Sequence, residues 1–168
     1  MNVINAAKEQ AKGIAAKVLH ATEREPRSQS ITIRQSREAV TDLFQDAERL
    51  SQVFGDIAEV EHLGPRRLRW KFAGPDGDTT KWECVVTVQG DSLRFDDVRP
   101  DSTHQIALDL RQAPQDHGTE VIARVSSPAP GLLTGPLIFK ALYRARALLQ
   151  TGEIPTITPN PSARKSDR

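Results

Sequence analysis

One histidine and one tyrosine have side-chain chemistry and surroundings that could serve a reaction. His104 alternates with Ile106 and Leu108, so a strand would place its imidazole on the same face as these apolar side chains. There it could orient a carbonyl group or move a proton. Tyr143 flanks the apolar stripe of a predicted helix, where its hydroxyl could reach a ligand. Because such boundary residues more often have structural roles, neither is assigned as catalytic and both remain candidates.

The other reactive side chains form no catalytic or metal-binding motif. Cys84 lies between Trp82 and Val86 in an alternating segment, where a thiol typically acts as a small apolar filler. Asp96 and Asp97 are adjacent, and neighbours on a strand point to opposite faces, which argues against shared acid–base work. No spacing of histidine, cysteine or carboxylate residues matches a metal site, and no glycine-rich loop precedes a helix start. We therefore predict neither a metal nor a cofactor.

The composition is that of a single domain with almost no net charge. With 168 residues, the chain can bury well over half of the surface that it exposes when unfolded. A formal charge of +1 favours neither nucleic acid nor an anionic membrane as a partner. A single cysteine cannot form an internal disulfide, the first residues contain no secretory signal, and no apolar run approaches the ~20 residues of a transmembrane helix. We expect a cytoplasmic protein without a transmembrane segment or a nucleic-acid partner.

Alternating apolar residues predict an antiparallel sheet. Ile31 and Ile33 alternate with polar neighbours in a first short strand, and Ser36 is placed to cap the helix that follows. After a second short helical segment, six strand-like segments follow Gly55 without a helix between them. Their connections are short and rich in Gly, Pro and Asp, which is typical of hairpin turns. The six segments are IAEVEHL, RLRWKF, KWECVVTV, SLRFDDV, HQIALDL and TEVIARV.

The most regular helix is predicted near the C-terminus. Pro136 is typical of a first helical turn, and Gly152 is typical of the residue that ends a helix. At 1.5 Å per residue the helix is about 24 Å long, enough to cross several strands spaced about 4.8 Å apart. We expect it to cover the apolar face of the sheet. Its apolar stripe consists of Ile138, Ala141, Leu142, Ala145, Leu148 and Leu149.

The chain divides into three predicted segments. Residues 1–26 comprise an amphipathic helix and a polar linker, residues 27–152 form the folded domain, and residues 153–168 form a proline-containing tail that we expect to be disordered. The N-terminal helix has a thin apolar seam that could contact a partner, although packing against its own domain is the more frequent arrangement. The seam consists of Ile4, Ala7, Ala11, Ile14 and Val18.

The order of the elements resembles the helix-grip fold of the START and birch-pollen-allergen superfamily, SRPBCC. The stretch from SREAVTDLF to KWECVVT is similar to the polyketide cyclase/dehydrase and lipid-transport branch, with Trp70 before a Gly-Pro-Asp-Gly turn and Trp82 after it. The ending LYRARALLQTGEIPT resembles the closing helix of that branch. This resemblance, over about residues 28–158, implies an α+β fold. We expect a curved antiparallel sheet of about seven strands wrapped around a long C-terminal helix, with an extra N-terminal helix.

The helix-grip fold leaves a space between sheet and helix that side chains either fill or leave open as a pocket. The resemblance implies that a small hydrophobic molecule, such as a lipid, a polyketide-like compound or an isoprenoid, binds there. One alternative is a polyketide cyclase or dehydratase that uses His104, Tyr143 or a bound water. Another is a protein-interaction module that acts through the N-terminal helix, and a homodimer is left open. The predicted ligand-binding residues are Trp70, Phe72, Trp82, Cys84, Phe95, His104, Ile106, Leu108, Ile138, Leu142, Ala145 and Leu149.

Overall fold

The computed structural model describes residues 27–126 and 133–155. The predicted N-terminal helix and most of the predicted tail lie outside these residues, so the division into three segments stays a prediction. The strands are β1 (Arg27–Ile33), β2 (Ala58–Gly64), β3 (Arg67–Ala73), β4 (Thr79–Gln89), β5 (Ser92–Asp97), β6 (Gln105–Gln112) and β7 (Thr119–Ser126). The helices are α1 (Arg37–Gln45), α2 (Ala47–Phe54) and α3 (Gly135–Thr151).

The seven strands form one curved sheet in the order β1-β7-β6-β5-β4-β3-β2. Every neighbouring pair is antiparallel, which confirms the prediction from the hairpin-like connections. The described part of the chain starts with β1 at one edge, crosses to the other edge through α1 and α2, and returns strand by strand to β7. Apolar residues alternate with polar ones along β3 to β7, so one face of the sheet is buried and the other carries charges.

Both short helices begin at a capping side chain, and the first of these, Ser36, is the one predicted. The side chain of Ser36 accepts a hydrogen bond from the backbone N–H of Ala39 at 3.2 Å, as expected for the first residue before α1. Asp46 ends α1 and caps α2, since its carboxylate accepts from the backbone N–H groups of Glu48 and Arg49. The apolar sides of both helices are buried against the same face of the sheet that α3 covers.

Helix α3 has the predicted bounds and the predicted orientation. Pro136 lies in its first turn, and Gly152 ends it in the left-handed conformation with φ of 75°. The helix buries four residues of its predicted stripe and packs against β1, α1 and α2. No helix within the described ranges is long and apolar enough to cross a membrane. The four buried residues are Ile138, Ala141, Leu142 and Ala145.

A candidate ligand-binding cavity between the sheet and helix α3

A small cavity lies where the apolar face of the sheet meets the three helices. Its volume is about 20 Å³, and every residue on its wall is hydrophobic. A space of this size holds roughly one water molecule, and an apolar wall offers that water no hydrogen bonds. The surrounding side chains therefore fill most of the space between the sheet and α3, and a larger ligand requires part of the wall to move.

Six of the twelve predicted ligand-binding residues are on the cavity wall, namely Trp70, Phe95, Ile106, Leu108, Ile138 and Leu142. Four others are buried in the same core but do not line the cavity, namely Phe72, Trp82, Cys84 and Ala145. Leu149 is half-buried and packs against the core. His104 is half-buried and does not line the cavity; it immediately precedes β6, two residues before the wall residue Ile106.

The remaining wall residues were not singled out from the sequence as ligand-binding. Helical spacing in α1 and α2 and period-two alternation in β7 signal that most of them face the core. The choice between Ala141 and Ala145 depends on how α3 is rotated over the sheet, and the structure places Ala141 on the wall. The additional wall residues are Phe44, Leu50, Phe54, Ala123, Val125, Leu133 and Ala141.

Trp70 is the centre of an aromatic cluster that forms one side of the cavity. Its ring centroid lies 4.8 Å from that of Phe54 and 5.8 Å from that of Phe95, both in edge-to-face arrangements. Phe72 stacks on it at 5.8 Å, and Trp82 lies tilted at 6.1 Å. Such pairs contribute about 0.5–1.5 kcal/mol beyond their buried area, so they stabilise this side of the cavity.

The carboxylate of Asp97 forms a polar group at one end of the apolar face. Its side chain is only 2% exposed, and alternation along the strand places it on the same face as Phe95. It accepts hydrogen bonds from Trp82 Nε1 at 3.2 Å, from the Ser102 hydroxyl at 2.8 Å and from the Arg99 guanidinium at 2.8 Å. The Arg99 guanidinium, with smaller contributions from backbone and Ser102 hydrogen bonds, holds the pKa of Asp97 well below its usual range.

His104 is beside Asp97 in the sheet, and one of its ring nitrogens has no partner. The backbone N–H of Asp97 donates to the carbonyl of His104 at 3.2 Å. The imidazole Nδ1 of His104 is buried and makes no hydrogen bond to residues 27–126 or 133–155. Asp96 points to the other face and accepts from the side-chain amide of Gln105, which agrees with the expectation that the two aspartates do not work together. His104 therefore shares its end of the inner face with one carboxylate.

The thiol of Cys84 lies close to the indole N–H of Trp70 inside the core, without a hydrogen bond between them. Cys84 is fully buried, and burial raises the pKa of its thiol to about 12. The nearby indole N–H of Trp70 acts against this shift of the pKa, because it would stabilise a thiolate. Trp70 Nε1 is buried and has no hydrogen-bond partner among the described residues. A neutral buried thiol is a poor nucleophile, consistent with its interpretation as a core filler.

Neither Tyr143 nor a metal-binding cluster of described residues belongs to the cavity. Tyr143 is 42% exposed on the solvent side of α3, does not line the cavity, and has the Arg146 guanidinium 4.9 Å from its ring centroid. Within residues 27–126 and 133–155, no cluster of three or more histidine, cysteine or acidic side chains could hold a metal ion. Neither catalytic candidate lines the cavity, and His104 precedes the wall residue Ile106 by two residues.

Solved structures from several organisms share this fold. A protein of Deinococcus radiodurans is 23% identical with a TM-score of 0.61, and the match covers 75% of this chain and 97% of that protein. A protein of Chromobacterium violaceum is 16% identical with a TM-score of 0.55, covering 74% of this chain and 97% of that one. The Aha1 dimer of Colwellia psychrerythraea is 13% identical with a TM-score of 0.54, covering 75% and 96%.

These structural likenesses define the class of fold. The chain is an α+β helix-grip protein, in which a curved seven-stranded antiparallel sheet is covered by a C-terminal helix, and the predicted fold class is confirmed. No protein-family model and no curated protein sequence matches the chain. These neighbours are all under 25% identical to the chain and show its fold alone.

Proposed function

We propose that this protein binds a small hydrophobic ligand between the sheet and α3, as a member of the SRPBCC superfamily. The observation that carries the proposal is an enclosed space with an entirely hydrophobic wall, contributed by both layers of the fold. The resemblance of Trp70, its turn and Trp82 to the polyketide cyclase and lipid-transport branch supports the same assignment. A lipid, a polyketide-like compound or an isoprenoid has the apolar body that such a wall accepts.

The ligand enters by displacing wall side chains, because the closed cavity holds only about 20 Å³. The sheet side is held by the aromatic cluster around Trp70, whereas α3 contributes short and aliphatic side chains, Ala141 and Leu142, to the wall. We therefore place the movement on the α3 side. Burial of apolar ligand surface contributes about 25 cal/mol per Å², which offsets the free-energy cost of opening the cavity.

The test compares two substitutions on the same helix. Ala141→Leu adds three carbon atoms to the cavity wall and should abolish uptake of a hydrophobic probe such as toluene, as measured by calorimetry. Ala147→Leu makes the same change at a half-buried position that does not line the cavity, and should leave uptake intact. Native mass spectrometry of the purified wild-type protein tests for a ligand that co-purifies. Equal uptake by the two variants would mean that the probe does not bind in this cavity.

The cyclase or dehydratase alternative is favoured by one observation, the buried Nδ1 of His104, which has no partner among the described residues and belongs to a residue two positions before the wall residue Ile106. Loss of water from a β-hydroxyacyl thioester in the presence of the protein, and its absence with His104→Leu, would support that reaction. The interaction-module alternative concerns residues 1–26, which are outside the described structure. Deletion of that segment tests this alternative. A loss of self-association would support an interaction module, whereas unchanged ligand uptake would support the binding of a hydrophobic ligand.

A further inference from the structure

Two exposed aromatic side chains are neighbours on α3. The chain has five phenylalanines, two tryptophans and one tyrosine, and all of them are buried except Phe139, which is 46% exposed, and Tyr143, which is 42% exposed. Residues four apart on a helix are adjacent on its surface, so the two rings form one aromatic patch. Because large aromatic side chains gain much from burial, this patch is a candidate contact surface.

The aromatic patch is on the flank of α3 that faces β1. Helical spacing places Arg146 and Gln150 on the same flank as the two rings, and these residues line a groove together with Thr32 of β1. The opposite flank carries Arg144, which donates to the carbonyl of Phe54 at the end of α2. Among the described elements, α2 thus packs on one flank of α3, and the aromatic patch on the other flank stays exposed.

The neighbouring strand β1 is an open edge of the sheet. Within residues 27–126 and 133–155, β1 pairs only with β7. At the opposite edge, the Ser51 hydroxyl of α2 bonds to both the N–H and the carbonyl of Val60, so α2 covers part of β2. Natural proteins usually cover, distort or charge such edges, yet β1 (RSQSITI) has one charge, at its first residue, and no proline. An open edge and an aromatic patch are therefore side by side.

The segment that precedes β1 joins the domain next to the aromatic patch. The Gln29 side-chain nitrogen is 3.0 Å from the position that a β-carbon on Gly135, the first residue of α3, would take. Just after β1, the side chain of Gln35 donates to the carbonyl of Leu149 at 3.0 Å. β1 thus runs beside α3 in the same direction. The preceding segment therefore enters β1 at the end of α3 that carries Phe139.

This segment has a length and a pattern that suit the contact. A helix over residues 2–20 is about 28 Å long and α3 is about 25 Å long, so the two match, and residues 21–26 suffice for the chain to turn back. The predicted apolar seam has Ala7 and Ala11, one turn apart, between larger residues at both ends. Small side chains at the middle of a seam let bulky rings on a facing helix approach closely.

We propose that residues 2–20 form a helix that packs antiparallel to α3, with its seam on Phe139 and Tyr143, and covers the open edge of β1. The occupant is this chain's own N-terminal segment, because the segment joins the domain beside the patch and such a tether gives it a high effective concentration there. Neither aromatic residue lines the cavity, so the contact is independent of the proposed ligand binding.

Tyr143 is the only tyrosine of the chain, so its ring resonances report on the aromatic patch alone. A nitroxide attached to Lys12→Cys in the full-length protein, whose native Cys84 is buried, should broaden these resonances, because packed helices lie about 8–10 Å apart. A nitroxide on Lys81→Cys, on the outer face of β4, should not. In a mixture of nitroxide-labelled protein with unlabelled protein that carries isotopic tyrosine, broadening would show that a second copy covers the patch, and would overturn the proposal.

Two identical substitutions test whether the seam makes the contact. Ala11→Asp places a charge in the seam and should reduce the broadening from the Lys12→Cys label severalfold, whereas Ala16→Asp, on the other side of the predicted helix, should preserve it. Equal broadening in both variants would mean that the segment is only a loose tether. No broadening with unchanged alanines would mean that it does not reach the patch, and either result overturns the proposal. Both substitutions are outside the described domain, so its folding does not decide the outcome.

Discussion

Arg144 of α3 donates a hydrogen bond to the backbone carbonyl of Phe54, the last residue of α2, at 3.2 Å. The same guanidinium is 3.4 Å from the carbonyl of Val53 and 2.9 Å from the carboxylate of Asp56. It thereby donates to carbonyls in the last turn of α2, where a helix lacks intrahelical partners; the Phe54 carbonyl also accepts from the backbone N–H of Ile57 at 2.8 Å. Since Phe54 lines the cavity, this contact joins two of the cavity's walls, α2 and α3.

Replacing Arg144 with glutamine should destabilise the protein by about 1–2 kcal/mol, because the carbonyls at the end of α2 lose a charged donor. Most of that loss comes from the hydrogen bonds to the backbone, since Asp56 is 68% exposed and its ion pairs are screened. Urea unfolding measures the change. Lys140→Gln is the control: Lys140 reaches the same Asp56 carboxylate at 3.3 Å, contacts no carbonyl of α2, and should cost under about 0.5 kcal/mol. Equal losses in the two variants would contradict the capping role.

Gly55 leaves room for that guanidinium, and Gly55→Ala should destabilise the protein by about 1–3 kcal/mol. Its backbone has φ of 52° and ψ of −113°, a conformation in which L side chains are strained. A β-carbon would also lie 2.7 Å from a terminal nitrogen of Arg144. Thermal unfolding provides the measurement, and Gly77→Ala, where the added carbon meets nothing within 4 Å, isolates the cost of positive φ alone. A smaller loss at Gly55 than at Gly77 would show that Arg144 does not restrict this position.

The fold was predictable because its signals are local. Alternation along β3 to β7, Gly- and Pro-rich connections, and Ser36 and Gly152 at helix ends each depend on a few neighbouring residues. The inward position of Asp97 was signalled by the sequence but was not predicted. Alternation along β5 places its side chain on the same inner face as that of Phe95. Its partners Arg99 and Ser102 belong to the turn after β5 and are adjacent only once that turn forms.

The state of the cavity could not be read from the sequence. The same hydrophobic residues build a filled core or an open pocket, and the difference depends on where α3 rests over the sheet to within about one methylene group. The helical stripe likewise leaves the choice between Ala141 and Ala145 open until the rotation of α3 is known. Tyr143, at the edge of that stripe, is placed on the solvent side by the same rotation.

Cys84 should be inert in the native protein. It is completely buried, and burial raises the pKa of its thiol to about 12, so the thiolate that reacts with disulfide reagents is scarce at neutral pH. We expect reaction with an aromatic disulfide reagent at about pH 8, near the ordinary thiol pKa, to follow the rate of unfolding and to become fast in urea. Rapid native-state labelling, unchanged by adding urea, would mean that β4 opens to solvent locally.

Asp97→Asn should destabilise the protein by about 1–2 kcal/mol near neutral pH, because asparagine keeps the shape but loses the charge that Arg99 and Ser102 stabilise. Arg99 is largely exposed and its attraction is screened, so we do not expect more. Urea unfolding of the two proteins measures the difference, and equal stability would mean that the charge of Asp97 contributes nothing to the fold.

The stability advantage of the wild-type protein over the Asp97→Asn variant should also depend on pH in a defined direction. The folded-state pKa of Asp97 is lowered by Arg99, so the carboxylate stabilises the fold above the ordinary aspartate pKa of 3.8 and loses that effect as the pH falls toward the folded-state pKa. Urea unfolding of both proteins at about pH 7, 5 and 3 measures the advantage, which should be similar at the two higher values and about 1 kcal/mol smaller at the lowest. An advantage that grows on acidification would mean that Asp97 is protonated in the folded protein, and that the polar end of the inner face is organised without its charge.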